Sequence, residues 1–306
     1  MEKRRSYRIG DTVIVLDWSR SKVIPRLEDN RLIDGFVCHE DNKPDILVYL
    51  EYGGIPSVNK RSVFESGSDC RFSKSGSKYI YERLDKWCKD GVMNLAVLNK
   101  DFKQATMFVQ SRRKREKRKF GEDRWYIADV MTSFAQFLLL NYLAHNRVGM
   151  LVHSSVLRCG SETLSFFGKQ NAGKSTMAGL WSRHIRGIEI FNDDKCIIKR
   201  RNRRFKIYST PWAGSFTDYK LVHKEAGLGN AFFLYHSGVN RIKRLSATAA
   251  FARIMRNIFP PFWSEKGMRF ITSLCHRFAR EVDCYDLGFL NNKEIVFFLK
   301  ERLYNI

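Results

Sequence analysis

The chain lacks most of what holds a secreted or membrane-inserted protein together. Its seven cysteines (Cys38, Cys70, Cys88, Cys159, Cys196, Cys275 and Cys284) are odd in number, scattered, and form no C-x-x-C pair. That argues against a disulfide scaffold or a zinc site and for a reducing cytoplasmic setting. No apolar run approaches the length of a membrane span, and the start Met1-Glu2-Lys3-Arg4-Arg5 leads into a strand instead of a signal-peptide core. Acidic residues are scarce: Asp+Glu number 32 against Lys+Arg 54, a formal charge of +22. Such a surplus attracts anions, whether nucleic acid, acidic peptides, membrane surfaces or nucleotides. It is concentrated in the run Arg112 to Lys119 and in a basic hairpin from Lys199 to Lys206. An interleaved aromatic–basic pattern and a nucleic-acid module are absent as well, so a nucleic-acid role stays an alternative. Charge runs are ordinarily solvated surface. What is present, 306 residues with 44% hydrophobic and 13% aromatic content, suffices for a large core.

One stretch carries chemistry. Gly168-Lys169-Gln170-Asn171-Ala172-Gly173-Lys174-Ser175 is a complete G-x-x-x-x-G-K-[ST] loop, followed by Thr176. Apolar residues 163–167 predict a strand entering it, and Met177, Leu180 and Trp181 predict one buried face of a helix, 176–184, leaving it. Backbone N–H groups of such a loop point inward and the helix N-terminus adds partial positive charge. Lys174 can then reach the outer phosphates of ATP, and the Ser175 hydroxyl can ligate Mg2+.

Two flanking features extend the reading. Residues 150–157 predict a second strand, carrying His153, that turns at 158–161 into the strand before the loop. Downstream, the apolar run 188–191 ends at Asn192-Asp193-Asp194. Carboxylates at a strand end beside a phosphate loop are placed to hold Mg2+ or to take a proton from an attacking hydroxyl. An adjacent acidic pair is costly unless a cation compensates it. A lone histidine in an apolar strand is ordinarily a satisfied core residue; its interval to the loop lysine, 174 − 153 = 21 residues, sets His153 apart.

These motifs together resemble HPr kinase/phosphorylase and its structural relative, ATP-dependent phosphoenolpyruvate carboxykinase. Tyr208-Ser209-Thr210-Pro211-Trp212-Ala213-Gly214 further resembles a segment of the HPr kinase-like proteins of ribosomal peptide natural-product clusters. The resemblance covers roughly residues 148–250. It implies that Lys174 binds the nucleotide phosphates, that Ser175 and Asp194 hold the metal, and that Asp194 deprotonates the acceptor hydroxyl. Asp193 would assist and His153 would sit at the reacting phosphate or beside the metal. The lysine-to-acid interval, 194 − 174 = 20 residues, is slightly long, implying an insertion near Arg186-Gly187. The kinase group's C-terminal signature and N-terminal domain have no counterpart, which speaks against HPr itself as acceptor. The carboxykinase's substrate arginine and metal-binding lysine have none either, which speaks against decarboxylation.

Elsewhere the pattern predicts strands at 6–17, 36–38, 46–52, 95–98 and 107–110, a polar loop-rich stretch at 57–77, and a helix at 79–89. A strongly apolar helix is expected at 125–145, packed on the sheet before the His153 strand. Later elements are strands near 231–235, 239–245 and 285–288, and helices at 246–257, 270–280 and 292–303, with Pro260-Pro261 as a breaker and Asn292 as a cap. Glu225 and Glu265 are candidates for a further metal ligand. The expected fold is α/β: an HPr kinase/phosphoenolpyruvate carboxykinase-like P-loop domain with a mixed sheet over 121–306, preceded by a β-rich region over 1–120. The expected activity is transfer of the ATP γ-phosphate to a serine-type hydroxyl of a peptide or small protein, in peptide natural-product maturation. A P-loop ATPase or nucleotide sensor without a kinase acceptor is the other alternative.

Overall fold

The structure is a computed structural model that describes all residues except 1, 23, 26, 28–31, 40–42, 68, 86–87, 89–90, 111–126, 217 and 305–306. The basic run at 112–119 therefore lies outside the described residues. The chain divides into two compact units, residues 1–30 with 37–142 and residues 31–36 with 143–306. The sequence had placed the boundary near 120.

The first unit is built on a nine-stranded mixed sheet. Its strands are β1 (Arg4–Ile9), β2 (Thr12–Asp17), β3 (Val37–Cys38), β4 (Ile46–Gly53), β5 (Arg61–Ser66), β6 (Cys70–Ser75), β7 (Lys78–Leu84), β8 (Val92–Leu98) and β9 (Gln104–Gln110). They lie in the order β3-β1-β2-β4-β9-β8-β7-β6-β5, with β2–β4 and β4–β9 parallel and the rest antiparallel. The single strand expected at 6–17 is a hairpin, because Gly10 and Asp11 both take positive φ (56° and 62°), the turn whose twist matches its flanking strands. Two expectations fail here. Residues 57–77 hold β5 and β6 despite their polarity, and the helix expected from Tyr79 is β7. Tyr79-Ile80-Tyr81 suits a pleated surface, and β7 pairs on both sides, with β6 and β8. Tyr79 stacks between Phe72 (5.2 Å) and Phe102 (5.1 Å), which a helix would have separated.

Helix α1 (Ile127–His145) widens to π geometry at Val130–Phe134. There Thr132 and Ser133 donate their hydroxyls to the carbonyls of Ala128 and Asp129 (2.8 and 2.6 Å), competing for the acceptors of the ordinary ladder. Among the described residues α1 is the one helix long and apolar enough to cross a membrane, which corrects the expectation that no run comes near that length. Val130, Met131, Phe134, Leu138, Leu139 and Leu143 are nonetheless buried within the protein.

The second unit is a mixed sheet between helices. Its strands are β10 (Met150–Cys159), β11 (Glu162–Phe167), β12 (Ile188–Asn192), β13 (Lys195–Arg201), β14 (Arg204–Tyr208), β15 (Glu225–Gly227), β16 (Asn230–His236), β17 (Arg241–Arg244) and β18 (Cys284–Phe289). The order is β15-β14-β13-β10-β11-β16-β18-β17, with β12 also on β10. Helices α2 (Lys174–His184), α3 (Ala247–Met255), α4 (Glu265–Glu281) and α5 (Glu294–Tyr304) complete it. Successive strand residues point to opposite faces. Phe166 and Phe232 join the core under α2 and α5, while Phe167 and Phe233 join the one under α3 and α4. The long strand β10 is shared: β13 pairs with its first half, where His153 lies opposite Lys195, and β12 with its second, where Val156 lies opposite Asn192. The turn between β12 and β13 is therefore held over the middle of β10, and it contains the two aspartates.

Candidate functional site: a phosphate loop and an acidic turn

The phosphate loop follows β11 and ends in α2, which begins at Lys174, two residues before the expected start. Its glycines are needed for room. A Cβ on Gly168 would lie 2.6 Å from the Ala172 Cβ, and one on Gly173 (φ +94°) would lie 2.4 Å from the Phe289 ring. Asn171 also takes a positive φ, 64°, which its short polar side chain tolerates. Lys174 is buried and folded back, its Nζ donating to the carbonyl oxygens of Gly168 and Lys169 at 3.0 Å each. His236, at the end of β16, holds the loop from outside through a 2.8 Å contact with the Asn171 oxygen. Burial lowers the pKa of Lys174, while the negative charges of Asp194 and Asp193 oppose that shift. The loop lysine and the acidic turn therefore share one electrostatic environment.

The turn begins with Asn192, fully buried, whose Oδ1 accepts from the backbone N–H groups of Asp194 (2.8 Å) and Lys195 (3.2 Å) and whose Nδ2 donates to the Thr210 carbonyl (2.7 Å). This local ring fixes the direction of the two carboxylates, and they diverge. Asp193 is 1% exposed and accepts four hydrogen bonds. These come from the Ser175 hydroxyl (3.0 Å), the N–H groups of Gly214 (2.6 Å) and Phe216 (2.8 Å), and the Tyr219 hydroxyl (3.2 Å). Burial first, and then the charge of Asp193, push the Tyr219 hydroxyl upward. Asp193 thus clamps the segment after Pro211-Trp212 against the start of α2.

Asp194 is half-buried. His153 Nε2 lies 2.8 Å from its Oδ1, and the Lys195 ammonium bonds its Oδ2. Burial alone would raise this carboxyl, but the hydrogen bonds from His153 and Lys195 and their charges hold it down at about 2. It is an anion at any physiological pH. The backbone tightens the arrangement: Ser154 N–H donates to the Asp194 carbonyl (2.9 Å) and His153 N–H to the Asn257 carbonyl (2.7 Å).

The structure thus gathers the loop 168–176 with Asp193, and Asp194 with His153. Ser175 bonds Asp193, not Asp194. The other acids considered as metal ligands are engaged elsewhere, Glu225 with Lys206 (2.9 Å) and Glu265 with Arg269 on its own helix. Sequence reasoning missed Asn192, Lys195 and Gly214. The signal for Lys195 was its adjacency to the acids. For Gly214 it was the resemblance of residues 208–214, which marks the segment but not its contact: a Cβ there would sit 2.8 Å from Asp193 Oδ2. Also missed was a cavity of about 400 Å³ between the loop and the end of α3, lined by residues that include Asn171, His236, Arg253, Arg256, Asn257 and Asp286.

Among the described residues no group of three or more His, Cys, Asp or Glu is gathered to hold a metal unaided. Mg2+ takes hard oxygen ligands, keeps several waters, and is commonly bound by one or two protein oxygens together with substrate phosphates. The hydroxyl of Ser175 and the carboxylates of the turn fit that requirement.

The fold is mixed α/β with two large mixed sheets and few helices, and its second unit carries the G-x-x-x-x-G-K-S loop between β11 and α2. No protein-family model matches the chain, and no curated protein matches it. Among solved structures, the Hpr(Ser) kinase/phosphatase from Coxiella burnetii is similar over 50% of this chain and 96% of its own, at 12% identity and a TM-score of 0.28. A likeness that distant carries no argument about activity.

Proposed function

We propose that this protein transfers the γ-phosphate of ATP to a hydroxyl group. The observation that carries the reading is Asp194: a carboxylate kept ionised by His153 and Lys195, close enough to Lys174 for its charge to be felt there. Loop N–H groups and Lys174, released from the carbonyls of Gly168 and Lys169, would cradle the phosphates. Mg2+ would be held by Ser175 and Asp194 and would neutralise charge on the phosphates. Asp194 would orient the acceptor hydroxyl and take its proton as the new O–P bond forms and ADP leaves. A carboxylate with so low a pKa is a weak base, yet phosphoryl transfer rests on positioning and charge neutralisation more than on basicity. His153 would act through Asp194, fixing its orientation.

For the acceptor we favour a serine-type hydroxyl on a peptide or small protein. The resemblance of residues 208–214 to proteins of peptide natural-product clusters supports this, and so does the +22 charge, which would attract an acidic chain. The test is transfer of label from γ-labelled ATP with Mg2+ to peptides encoded beside the gene, using wild type and Asp194→Asn. Label on a peptide hydroxyl in wild type alone supports the reading. Free phosphate released regardless of peptide would make the protein an ATPase and the acceptor assignment wrong.

A further inference from the structure

The cavity beside the loop 168–175 is walled by more than the loop itself. On one side are the loop residues 168–172; on the other are Arg253 and Arg256 from the end of α3, Asn257 just after it, and Asp286 on β18. Its lining draws on both faces of the sheet, Phe167 and Phe233 from the core under α3 and α4 and Leu234 and Ala172 from the one under α2 and α5. Arg253 is tied to Asp286 Oδ2 at 2.8 Å, whereas Arg256 is exposed and makes no ion pair among the described residues. Lys169 adds a further exposed cation.

Two acceptor atoms in the same wall have no partner among the described residues, Oδ1 of Asn257 and Oδ1 of Asp286. Asn257 is 6% exposed and is held by its Nδ2 bond to the Arg253 carbonyl (2.8 Å), so its carbonyl oxygen cannot turn away to water. A buried acceptor left unpaired is costly, and a ligand that brings a donor removes the cost. The cavity therefore asks for a molecule that presents both a hydroxyl or N–H donor and an anion.

Its position relative to the acidic turn points the same way. After α3 the chain runs antiparallel beside β10: Val152 bridges Ile258, Phe259 N–H donates to Leu151, and the Asn257 carbonyl receives the His153 N–H. Asn257 thus touches His153, which holds Asp194, while its side chain lines the cavity over the phosphate loop.

We propose that this cavity is the acceptor subsite and that it takes a serine or threonine flanked by acidic residues. Arg256, joined by Arg253, binds the flanking carboxylate, and Asn257 and Asp286 accept from the peptide's backbone N–H groups. The acceptor O–P bond forms as the bond between Pγ and the bridging oxygen breaks; the hydroxyl proton goes to Asp194 and ADP leaves. The proposal rests on the kinase reading above.

Two measurements separate the two claims. The first is anisotropy of a fluorescent serine peptide with glutamates on both sides, against one with lysines, added to the ADP-loaded full chain. The second is label transfer from γ-labelled ATP to the same peptides. Wild type should bind the acidic peptide at least about tenfold more tightly than the basic one. Arg256→Ala should weaken acidic-peptide binding by about ten- to a hundredfold, exceeding any loss for ADP by at least tenfold. Arg256→Glu should shift preference toward the basic peptide. An equal loss for ADP and peptide would overturn the proposal and make the cavity part of the nucleotide site. Indifference of wild type to peptide charge would also overturn it. Acidic-peptide binding that depends on Arg256, without label transfer, would uphold the subsite and sink the kinase reading instead.

Discussion

Replacing Asp193 by asparagine keeps the shape of the side chain and inverts half of its hydrogen-bonding character. Oδ1 accepts from Gly214 N–H and Tyr219 O–H, and Oδ2 accepts from Phe216 N–H and Ser175 O–H. The hydroxyls of Tyr219 and Ser175 can rotate to accept from an amide. The two backbone N–H groups cannot. Whichever way the amide is turned, its NH2 confronts either Gly214 or Phe216, and one buried donor loses its partner. That costs roughly 1–3 kcal/mol, and the surviving bonds lose the charge assistance that makes them about twice as strong as neutral ones. The total is on the order of 3–5 kcal/mol, a large share of the stability of a domain this size. Melting should fall by roughly 10 °C, and the amides of Gly214 and Phe216 should exchange with solvent much faster. Asp194→Asn should behave oppositely. Its carboxylate retains contact with water, so the change should cost about 1–2 kcal/mol in stability while, on the kinase reading, abolishing phosphotransfer. Calorimetry and hydrogen exchange on the two variants decide the matter. If Asp193→Asn melts with wild type and Asp194→Asn melts far below it, the assignment of clamp and chemistry is reversed.

The pH dependence follows from Asp194, whose folded pKa of about 2 lies below the ordinary 3.8. The resulting stabilisation is fully present above about pH 4 and is lost as pH falls toward 2; after solvent screening it amounts to about 1–2 kcal/mol. In Lys195→Met the carboxyl should titrate closer to 3.8, readable by carbon NMR of labelled aspartate, and an unchanged midpoint would show that Lys195 does not hold it. Gly173→Ala puts a methyl into the Phe289 ring and strains a residue at φ +94°. It should cost roughly 2–4 kcal/mol and weaken nucleotide binding at least tenfold; wild-type affinity by calorimetry would count against the loop geometry. Lys174→Met removes the cation without reducing bulk, so binding of ATP and ADP should fall sharply while the melting temperature stays within a few degrees.

The strand–loop–helix geometry around residues 168–175 was legible because everything that defines it is local: two glycines, a lysine and a serine at fixed offsets between a strand and a helix. The sequence exposed the aspartates and His153 as positions, but not their division of labour. The partners of Asp193 lie 18 residues before it and 21 to 26 residues after it, and the contact of His153 with Asp194 depends on β10 being shared between β12 and β13. Register of that kind is set by pairing across the sheet and leaves no mark at single positions. Residues 57–84 were misread for a related reason. Their polar composition signals loop and helix, whereas β5, β6 and β7 are made by pairing and by aromatic stacking on Phe72 and Phe102. Arg253 and Arg256 carried no signal in the sequence; the fold brings them to the cavity beside the loop.

Two adjacent carboxylates are ordinarily a liability, and this turn removes the liability by separating their surroundings. Asn192 aims the backbone so that one acid faces inward to neutral donors and the other faces His153 and the Lys195 ammonium. Neutral donors suffice for Asp193 because four of them converge on it. Hydrogen bonds with His153 and Lys195 leave Asp194 ionised and still in contact with solvent. The separation also explains Gly214. Any side chain at that position would force the inward carboxylate away from the Gly214 and Phe216 amides, and Ser175 would lose its bond to the turn with it. The PWxG-like segment therefore belongs to the site through a single missing methyl group.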